Sequence, residues 1–196
     1  QGKLENMLTH PESTVREQSN AIILSLSEVR RLTSLTNNML TLAKSESNMT
    51  RIEKEPTNIA DFLSRILAPY QEMAEFDGKQ VLLSAHVNQP IYIDQKRIHQ
   101  LIVLLVDNAM KYSEAGATVA IAASIEKRKF VLTVADTGRG ISDEAKKHVF
   151  DRFYREDKTG SRETGGTGLG LSIAEWIVRA HGGKITVADN QPKGTV

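Results

Sequence analysis

The sequence contains no cysteine, which excludes disulfides, thiolate metal sites and thiol nucleophiles. It also has no apolar run near the roughly 20 residues that a membrane-spanning helix needs, and residue 1 begins no signal-peptide pattern. Neither sign of charge dominates, because 25 Lys and Arg stand against 24 Asp and Glu, for a net charge of +1. Without a basic surface to hold a phosphodiester backbone, nucleic acid is excluded as the expected partner.

The composition is that of a globular chain. With 196 residues, of which 40% are apolar and 25% charged, it is long enough for one ordinary domain with a buried core and a helical appendage. Thr14 and Glu17 form a helix-start pattern, and apolar residues then recur every three or four positions from Ile22 to Leu42. Such a stripe packs either on a partner helix or on the chain's own domain, and periodicity does not choose between them. We divide the chain into a partial helical hairpin (1–47), a polar linker (48–56) and a second domain (57–196).

The second domain alternates helical and strand patterns. Asn58 and Asp94 are candidate caps for helices that end near Phe76 and Tyr112. Further helices are predicted over residues 143–150 and 169–181, and strands over residues 81–87, 91–93, 118–125, 130–135 and 184–188. Residues 193–196 have the pattern of a turn entering another strand that the sheet still needs. The pattern predicts an α/β sandwich with helices on one face of a mixed or antiparallel sheet.

Four short stretches carry the chemistry: residues 107–112 (DNAMKY), 136–141 (DTGRGI), 150–155 (FDRFYR) and 165–171 (GGTGLGL). The first offers an amide oxygen, Asn108, which suits Mg²⁺, and a lysine one turn later for phosphate. The second places a carboxylate, Asp136, at a strand end before two glycines, so that backbone and carboxylate can both approach a ring with amine donors. The fourth is a glycine-rich loop opening a helix, whose free amides favour anions. Each pattern alone also fits an ordinary helix end, turn or surface loop.

In this order and spacing, the four stretches resemble the N, G1, F and G2 boxes of the Bergerat (GHKL) ATP-binding domain of sensor histidine kinases. The resemblance covers residues 56–196, and the preceding hairpin resembles the dimerisation and phosphotransfer domain of the same family. It implies an α+β fold: a helical hairpin, half of a dimeric four-helix bundle, followed by an α/β sandwich. It also implies ATP and Mg²⁺ as cofactors, a homodimer through the hairpin, and a response regulator as partner.

The resemblance carries over residue roles onto this sequence. Asn108 would hold Mg²⁺, Asp136 would accept from the adenine amine, and Arg155 would approach the terminal phosphate. Phe153 would anchor a lid that runs from Arg155 to Gly168. The implied catalytic residues are Asn108, Lys111 and Arg155, and the implied nucleotide-binding residues are Asn108, Lys111, Tyr112, Asp136, Gly138, Gly140, Ile141, Phe153, Arg155, Thr167, Gly168, Leu169 and Gly170.

Two positions depart from the family pattern. Leu104 stands where many kinases of the family have a second Asn and where the related ATPases have a catalytic Glu. A leucine cannot act as a general base, which disfavours a hydrolase and suits a domain that holds ATP for transfer. The family's phosphoacceptor segment, a His followed by an acidic residue and Arg-Thr-Pro, is missing from the chain. His10, beside Pro11, is interpreted as a turn residue, and we expect the acceptor upstream of residue 1.

The resulting hypothesis is an ATP-dependent protein histidine kinase of a two-component system, which donates the γ-phosphoryl group to a His for relay to a response regulator Asp. Two alternatives stay open: a non-catalytic dimeric nucleotide-sensing scaffold, and an ATPase of the same superfamily. We expect this chain to be the cytoplasmic portion of a bacterial sensor anchored in the membrane by segments outside it.

Overall fold

The computed structural model describes residues 51–156 and 167–196, together with scattered positions between 19 and 40. These scattered positions are all helical, in agreement with the helix predicted there. Apolar side chains along it are exposed on the single chain, among them Ile22, Leu26, Val29, Leu32 and Met39. The predicted helix end at 2–8 and the turn at 10–13 lie outside the described residues, so the hairpin itself stays a prediction.

Within the described residues, three strands form the main sheet. They are β2 (Gln80–Ala85), β4 (Thr118–Glu126) and β5 (Lys129–Asp136), in the order β2-β4-β5. β2 runs parallel to β4, and β5 runs antiparallel to it, so the predicted mixed sheet is confirmed. Alternate residues of β4 are buried (Val119, Ile121 and Ala123), as expected for a sheet with one face on the core.

Helices cover that face of the sheet. They are α1 (Ile59–Phe76), α2 (Gln95–Lys111) and, further along the chain, α4 (Gly170–Ala180). The predicted caps are confirmed, because the Asn58 side chain accepts from the Asp61 amide at 3.3 Å and Asp94 accepts from the Arg97 amide at 3.1 Å. The shared core includes side chains with no exposed surface: Leu67, Ile102, Val106, Ile173 and Ile177.

A second, smaller sheet was not predicted. β1 (Glu55–Thr57) pairs antiparallel with β3 (Ile91–Ile93), and Pro56 lies opposite Tyr92. Two residues of β1 belong to the stretch that the sequence assigns to the linker. A three-residue strand containing proline gives little sequence signal, because its pairing depends on a partner more than 30 positions away.

Two predicted elements are wrong in extent or kind. The helix over residues 143–150 is helical only at α3 (Asp143–Lys146) and continues as turns to Phe150. Residues 184–188 form no strand of a sheet among the described residues. Their backbone pairing there is confined to Ala188, which exchanges hydrogen bonds with Val196 at 2.7 and 2.9 Å. An alternating apolar pattern gives a strand only where a neighbour supplies the other half of the ladder.

In the part of the chain that the structure describes, no helix has both the length and the hydropathy needed to cross a membrane.

Candidate functional site

The C-terminal turn of α2 carries the first predicted stretch. Asn108 is half-buried and lines a cleft, and its carbonyl accepts from the Tyr112 amide at 3.1 Å as the helix ends. The neighbouring Asp107 also lines the cleft, and its carboxylate accepts from the Tyr70 hydroxyl of α1 at 2.6 Å. Burial and this carboxylate raise the pKa of Tyr70 above its usual range, so the phenol stays a neutral donor. This turn therefore offers the cleft the neutral Asn108 amide oxygen beside the Asp107 carboxylate that holds Tyr70.

The end of β5 carries Asp136. Its Oδ1 accepts from the Gly138 amide at 2.8 Å and the Thr195 amide at 3.3 Å, while its backbone pairs with Thr195. Burial raises the pKa of Asp136, and the hydrogen bonds from Gly138 and Thr195 act in the opposite direction. The carboxylate is thus fixed in orientation by the turn that follows it, at the wall of the cleft.

Both glycines of the second stretch occupy positions where a side chain would be unfavourable. A Cβ on Gly138 would overlap the carbonyl oxygen of Tyr112, and the next amide, that of Arg139, donates to that same oxygen at 3.2 Å. Gly140 has φ +80°, a left-handed conformation that side chains disfavour. The loop after β5 is therefore fastened directly to the end of α2, which brings the first two stretches together.

The ring of Tyr112 contacts two cations. The Lys111 ammonium is 4.8 Å from the ring centroid, and the Arg139 guanidinium carbon is 4.6 Å from it. Both distances lie within the range of cation–π attraction. Lys111, Tyr112 and Arg139 all line the cleft, so this part of its wall carries two cations.

The third and fourth stretches meet at a backbone contact. The Phe153 amide donates to the Gly168 carbonyl at 2.8 Å, and Phe153 and Gly168 both have left-handed φ values, +62° and +71°. A Cβ on Gly168 would lie 2.7 Å from the Phe153 carbonyl carbon, so only glycine fits. Leu169 follows with no exposed surface and precedes α4. Residues 157–166 of the predicted lid lie outside the described residues.

Ten of the thirteen predicted nucleotide-binding residues line one cleft of about 1450 Å³: Asn108, Lys111, Tyr112, Asp136, Gly140, Ile141, Arg155, Thr167, Gly168 and Gly170. Gly138, Phe153 and Leu169 do not line it; they shape its walls through the contacts described above. This volume exceeds the roughly 300–1,000 Å³ of a ligand pocket, because the cleft continues along β5. The prediction missed Arg139, although its place between two glycines of the second stretch marked it as close to any ligand.

Leu104 lines the cleft one turn before Asn108. Its Cδ2 is 3.6 Å from where a Cβ on Gly170 would be, so it fills the space between α2 and the start of α4. An apolar group at this point cannot take a proton from water.

The donor set suits a magnesium ion that is held mainly by phosphate oxygens. Among the described residues, no group of three or more His, Asp or Glu side chains could hold a metal ion. Asn108 would supply one hard oxygen ligand, and Mg²⁺ commonly takes only one or two from protein, with water and phosphate completing the octahedron.

Histidines of this domain have structural partners. His181 accepts from the Asp94 amide at 3.1 Å, His86 contacts the Ser84 hydroxyl at 2.9 Å, and His148 contacts Asp151 at 2.8 Å. The phosphoacceptor expected upstream of residue 1 stays a prediction. His10 lies outside the described residues.

Comparison with known proteins identifies the family of this chain. Residues 93–196 match the model of the "Histidine kinase-, DNA gyrase B-, and HSP90-like ATPase" family. The chain is 39% identical over its whole length to the sensor protein CiaH of Streptococcus pneumoniae, covering 44% of that protein. It is 38% identical over 84% of its length to the signal transduction histidine-protein kinase ArlS of Staphylococcus haemolyticus, covering 36% of it. This chain thus spans less than half the length of these curated relatives.

Comparison with solved structures gives the same result for the fold. A crystal structure of full-length ShkA in complex with AMPPNP superposes with a TM-score of 0.77 at 27% identity, covering 93% of this chain and 38% of ShkA. The predicted fold class is thereby confirmed for the ATP-binding domain. With residues 93–196 inside the family model, the chain belongs to the histidine kinase-, DNA gyrase B- and HSP90-like ATPase family.

Proposed function

We propose that this chain is the ATP-binding part of a protein histidine kinase of a two-component system. The observation that carries the proposal is the meeting of Asn108, Asp136 and the Gly168–Gly170 turn at one cleft, in a chain of this ATPase family. The names of the relatives support it, since ArlS is called a histidine-protein kinase and CiaH a sensor protein. ShkA, which shares the fold, was crystallised with an ATP analogue.

Each wall of the cleft has a part in holding ATP. Asp136 accepts from the adenine amine, and Gly138 and Gly140 allow the base to approach the backbone. Lys111 and Arg155 neutralise phosphate oxygens, and Gly168 and Gly170 lie at the start of α4, where a helix N-terminus favours anions. Asn108 holds Mg²⁺, which when bound neutralises charge on the β- and γ-phosphates.

The transfer step needs an acceptor outside the described residues. An imidazole nitrogen of a phosphoacceptor His forms a bond to the γ-phosphorus, the bond from that phosphorus to the β–γ bridging oxygen breaks, and ADP leaves. The imidazole proton passes to solvent. Since phosphoryl transfer asks mainly for positioning and charge neutralisation, a site without a general base is sufficient. Leu104 in the cleft favours this transfer over hydrolysis.

The partners follow from the same proposal. The phosphohistidine passes its phosphoryl group to an Asp of a response regulator. The exposed apolar stripe from Ile22 to Met39 packs in a four-helix bundle of a homodimer. The protein acts at the cytoplasmic side of a membrane, anchored by segments outside this chain.

The test uses a longer segment of the protein that includes the phosphoacceptor His, incubated with γ-³²P-labelled ATP and Mg²⁺. We expect label on the protein that is stable to alkali and labile to acid, as a phosphoramidate is. Asn108→Asp should abolish the labelling, and mixing this chain with an Asn108→Asp longer segment should restore it if transfer occurs between subunits. Nucleotide binding with no labelling would favour the scaffold, and rapid steady phosphate release would favour the ATPase.

A further inference from the structure

We propose that Arg139 binds the phosphate chain of the nucleotide as a second cation beside Lys111. This inference rests on the nucleotide site of the proposed function and goes beyond it, because the motif resemblance assigns Arg139 no role. The side chain lies in the loop after β5, at the wall of the cleft.

The backbone of Arg139 is held in place from both sides. Its amide donates to the Tyr112 carbonyl at 3.2 Å, and the preceding Gly138 approaches that carbonyl more closely than any residue with a Cβ could. The following Gly140 turns the chain away with φ +80°. The side chain of Arg139 therefore starts from a fixed point next to the end of α2, where Asn108 and Lys111 also lie.

The Arg139 guanidinium and the Lys111 ammonium both lie near the Tyr112 ring. The guanidinium is exposed and rests 4.6 Å from the Tyr112 ring centroid, while Lys111 lies 4.8 Å from the same centroid. Two cations near one ring repel each other, and a polyanion that arrives between them relieves that repulsion.

The chemistry of the group favours phosphate over the base. A guanidinium presents five N–H donors in a planar fork that pairs with two phosphate oxygens at once. The base already has its recognition group in Asp136, which is a hydrogen-bond acceptor. A donor-only cation next to Lys111 complements the multiple negative charges of a triphosphate.

The experiment compares ATP with adenosine, which has the same base and ribose but no phosphate. Binding of each to the wild-type chain and to Arg139→Met and Arg139→Lys is followed by NMR titration for weak binding and by isothermal titration calorimetry for tight binding. Arg65→Met is the matched control, since Arg65 is exposed on α1 and does not line the cleft. A thermal melt of each variant without ligand reports folding.

We expect Arg139→Met to weaken ATP binding by about tenfold, the loss of one charge-assisted hydrogen bond, and to change adenosine binding by less than about twofold. The ATP affinity of Arg139→Lys should lie between those of Arg139→Met and wild type. If Arg139→Met does not fold, the comparison of Arg139→Lys with wild type tests the proposal. An equal loss for ATP and adenosine would overturn the proposal, because Arg139 would then act by positioning Tyr112. Unchanged ATP binding would overturn it as well. If the wild-type chain binds neither ligand, the proposed function itself fails.

Discussion

The imidazole of His181 joins the ends of two helices. Its Nε2 accepts from the Asp94 amide at 3.1 Å, and its Nδ1 lies 2.8 Å from the Ile177 carbonyl. Because a carbonyl can only accept, Nδ1 carries the proton and the ring is neutral in this arrangement. Asp94 caps α2, and His181 caps α4, so the ring ties the start of the helix that bears Asn108 to the end of the helix that begins at Gly170.

Removal of this ring should destabilise the domain. We expect His181→Ala to lower the free energy of unfolding by about 1–3 kcal/mol, because the partly buried Asp94 amide loses its acceptor. Urea denaturation followed by circular dichroism measures it. His86→Ala is the control, since His86 is exposed and contacts only the nearby Ser84 among described side chains, and it should change stability by about 0.5 kcal/mol or less. Equal effects of the two variants would show that the His181 bridge contributes nothing.

Asp136→Asn should separate binding from stability. Burial raises the pKa of this carboxyl in the folded chain, so its stabilising contribution is present below the unfolded pKa and is lost as the pH rises through the folded pKa. At neutral pH the ionised carboxylate therefore opposes folding, and a neutral amide that keeps an oxygen for the Gly138 and Thr195 amides removes that opposition. We expect an equal or higher melting temperature at pH 7, with ATP binding weakened at least about tenfold by loss of the charged acceptor.

The same variant has a pH signature. The difference in melting temperature between Asp136→Asn and wild type should shrink as the pH falls towards and below the usual aspartate range, because wild-type Asp136 then becomes protonated and neutral too. A melting temperature that drops in Asp136→Asn at neutral pH would contradict the assignment, as would unchanged ATP affinity.

Gly168 and Gly182 offer a matched pair of glycines. Both have left-handed φ, +71° and +81°, but a Cβ on Gly168 would lie 2.7 Å from the Phe153 backbone while one on Gly182 would meet nothing within 4 Å. We expect Gly182→Ala to cost about 1–2 kcal/mol from backbone strain alone. Gly168→Ala should cost about 2–4 kcal/mol, because steric overlap adds to that strain. It should also weaken ATP binding, since it disturbs the base of the lid.

Chemical denaturation of both variants, with ATP titration of each, tests this contact. Equal losses of stability would mean that Phe153 moves aside at no cost, and the contact would then not define the lid. Gly182→Ala should weaken ATP binding less than Gly168→Ala, because Gly182 lies at the opposite end of α4 from the Gly168–Gly170 turn.

Tyr70→Phe tests the support of the helix end that carries Asn108. The phenol donates to Asp107 at 2.6 Å, and its raised pKa predicts a late ionisation step, above the usual tyrosine range, in the folded chain. A spectrophotometric titration should lose that late step in Tyr70→Phe. The stability linked to the neutral phenol is fully present below the ordinary tyrosine pKa and is lost at higher pH. We expect Tyr70→Phe to cost about 1 kcal/mol at neutral pH. Absence of that late step in wild type would contradict the contact.

Local features were readable in the sequence. The caps Asn58 and Asp94 satisfy amides three residues further on, so the helix starts could be predicted from neighbours alone. The β4–β5 hairpin is also local, and both of its strands were predicted. Three features could not be predicted, because each depends on a partner distant in sequence. They are the parallel pairing of β2 with β4, the strand β1, and the lack of a strand at residues 184–188.

The sequence by itself determined which groups could bind a nucleotide and in which order they occur, because residue chemistry and spacing are properties of the chain. Tertiary structure decided that these groups share one cleft, that Gly138 fastens the second stretch to Tyr112, and that Arg139 shares the Tyr112 ring with Lys111. Those contacts arise when β5 is placed beside the end of α2 by burial of a common core. Packing of that kind depends on the whole set of long-range contacts, and no short stretch encodes it.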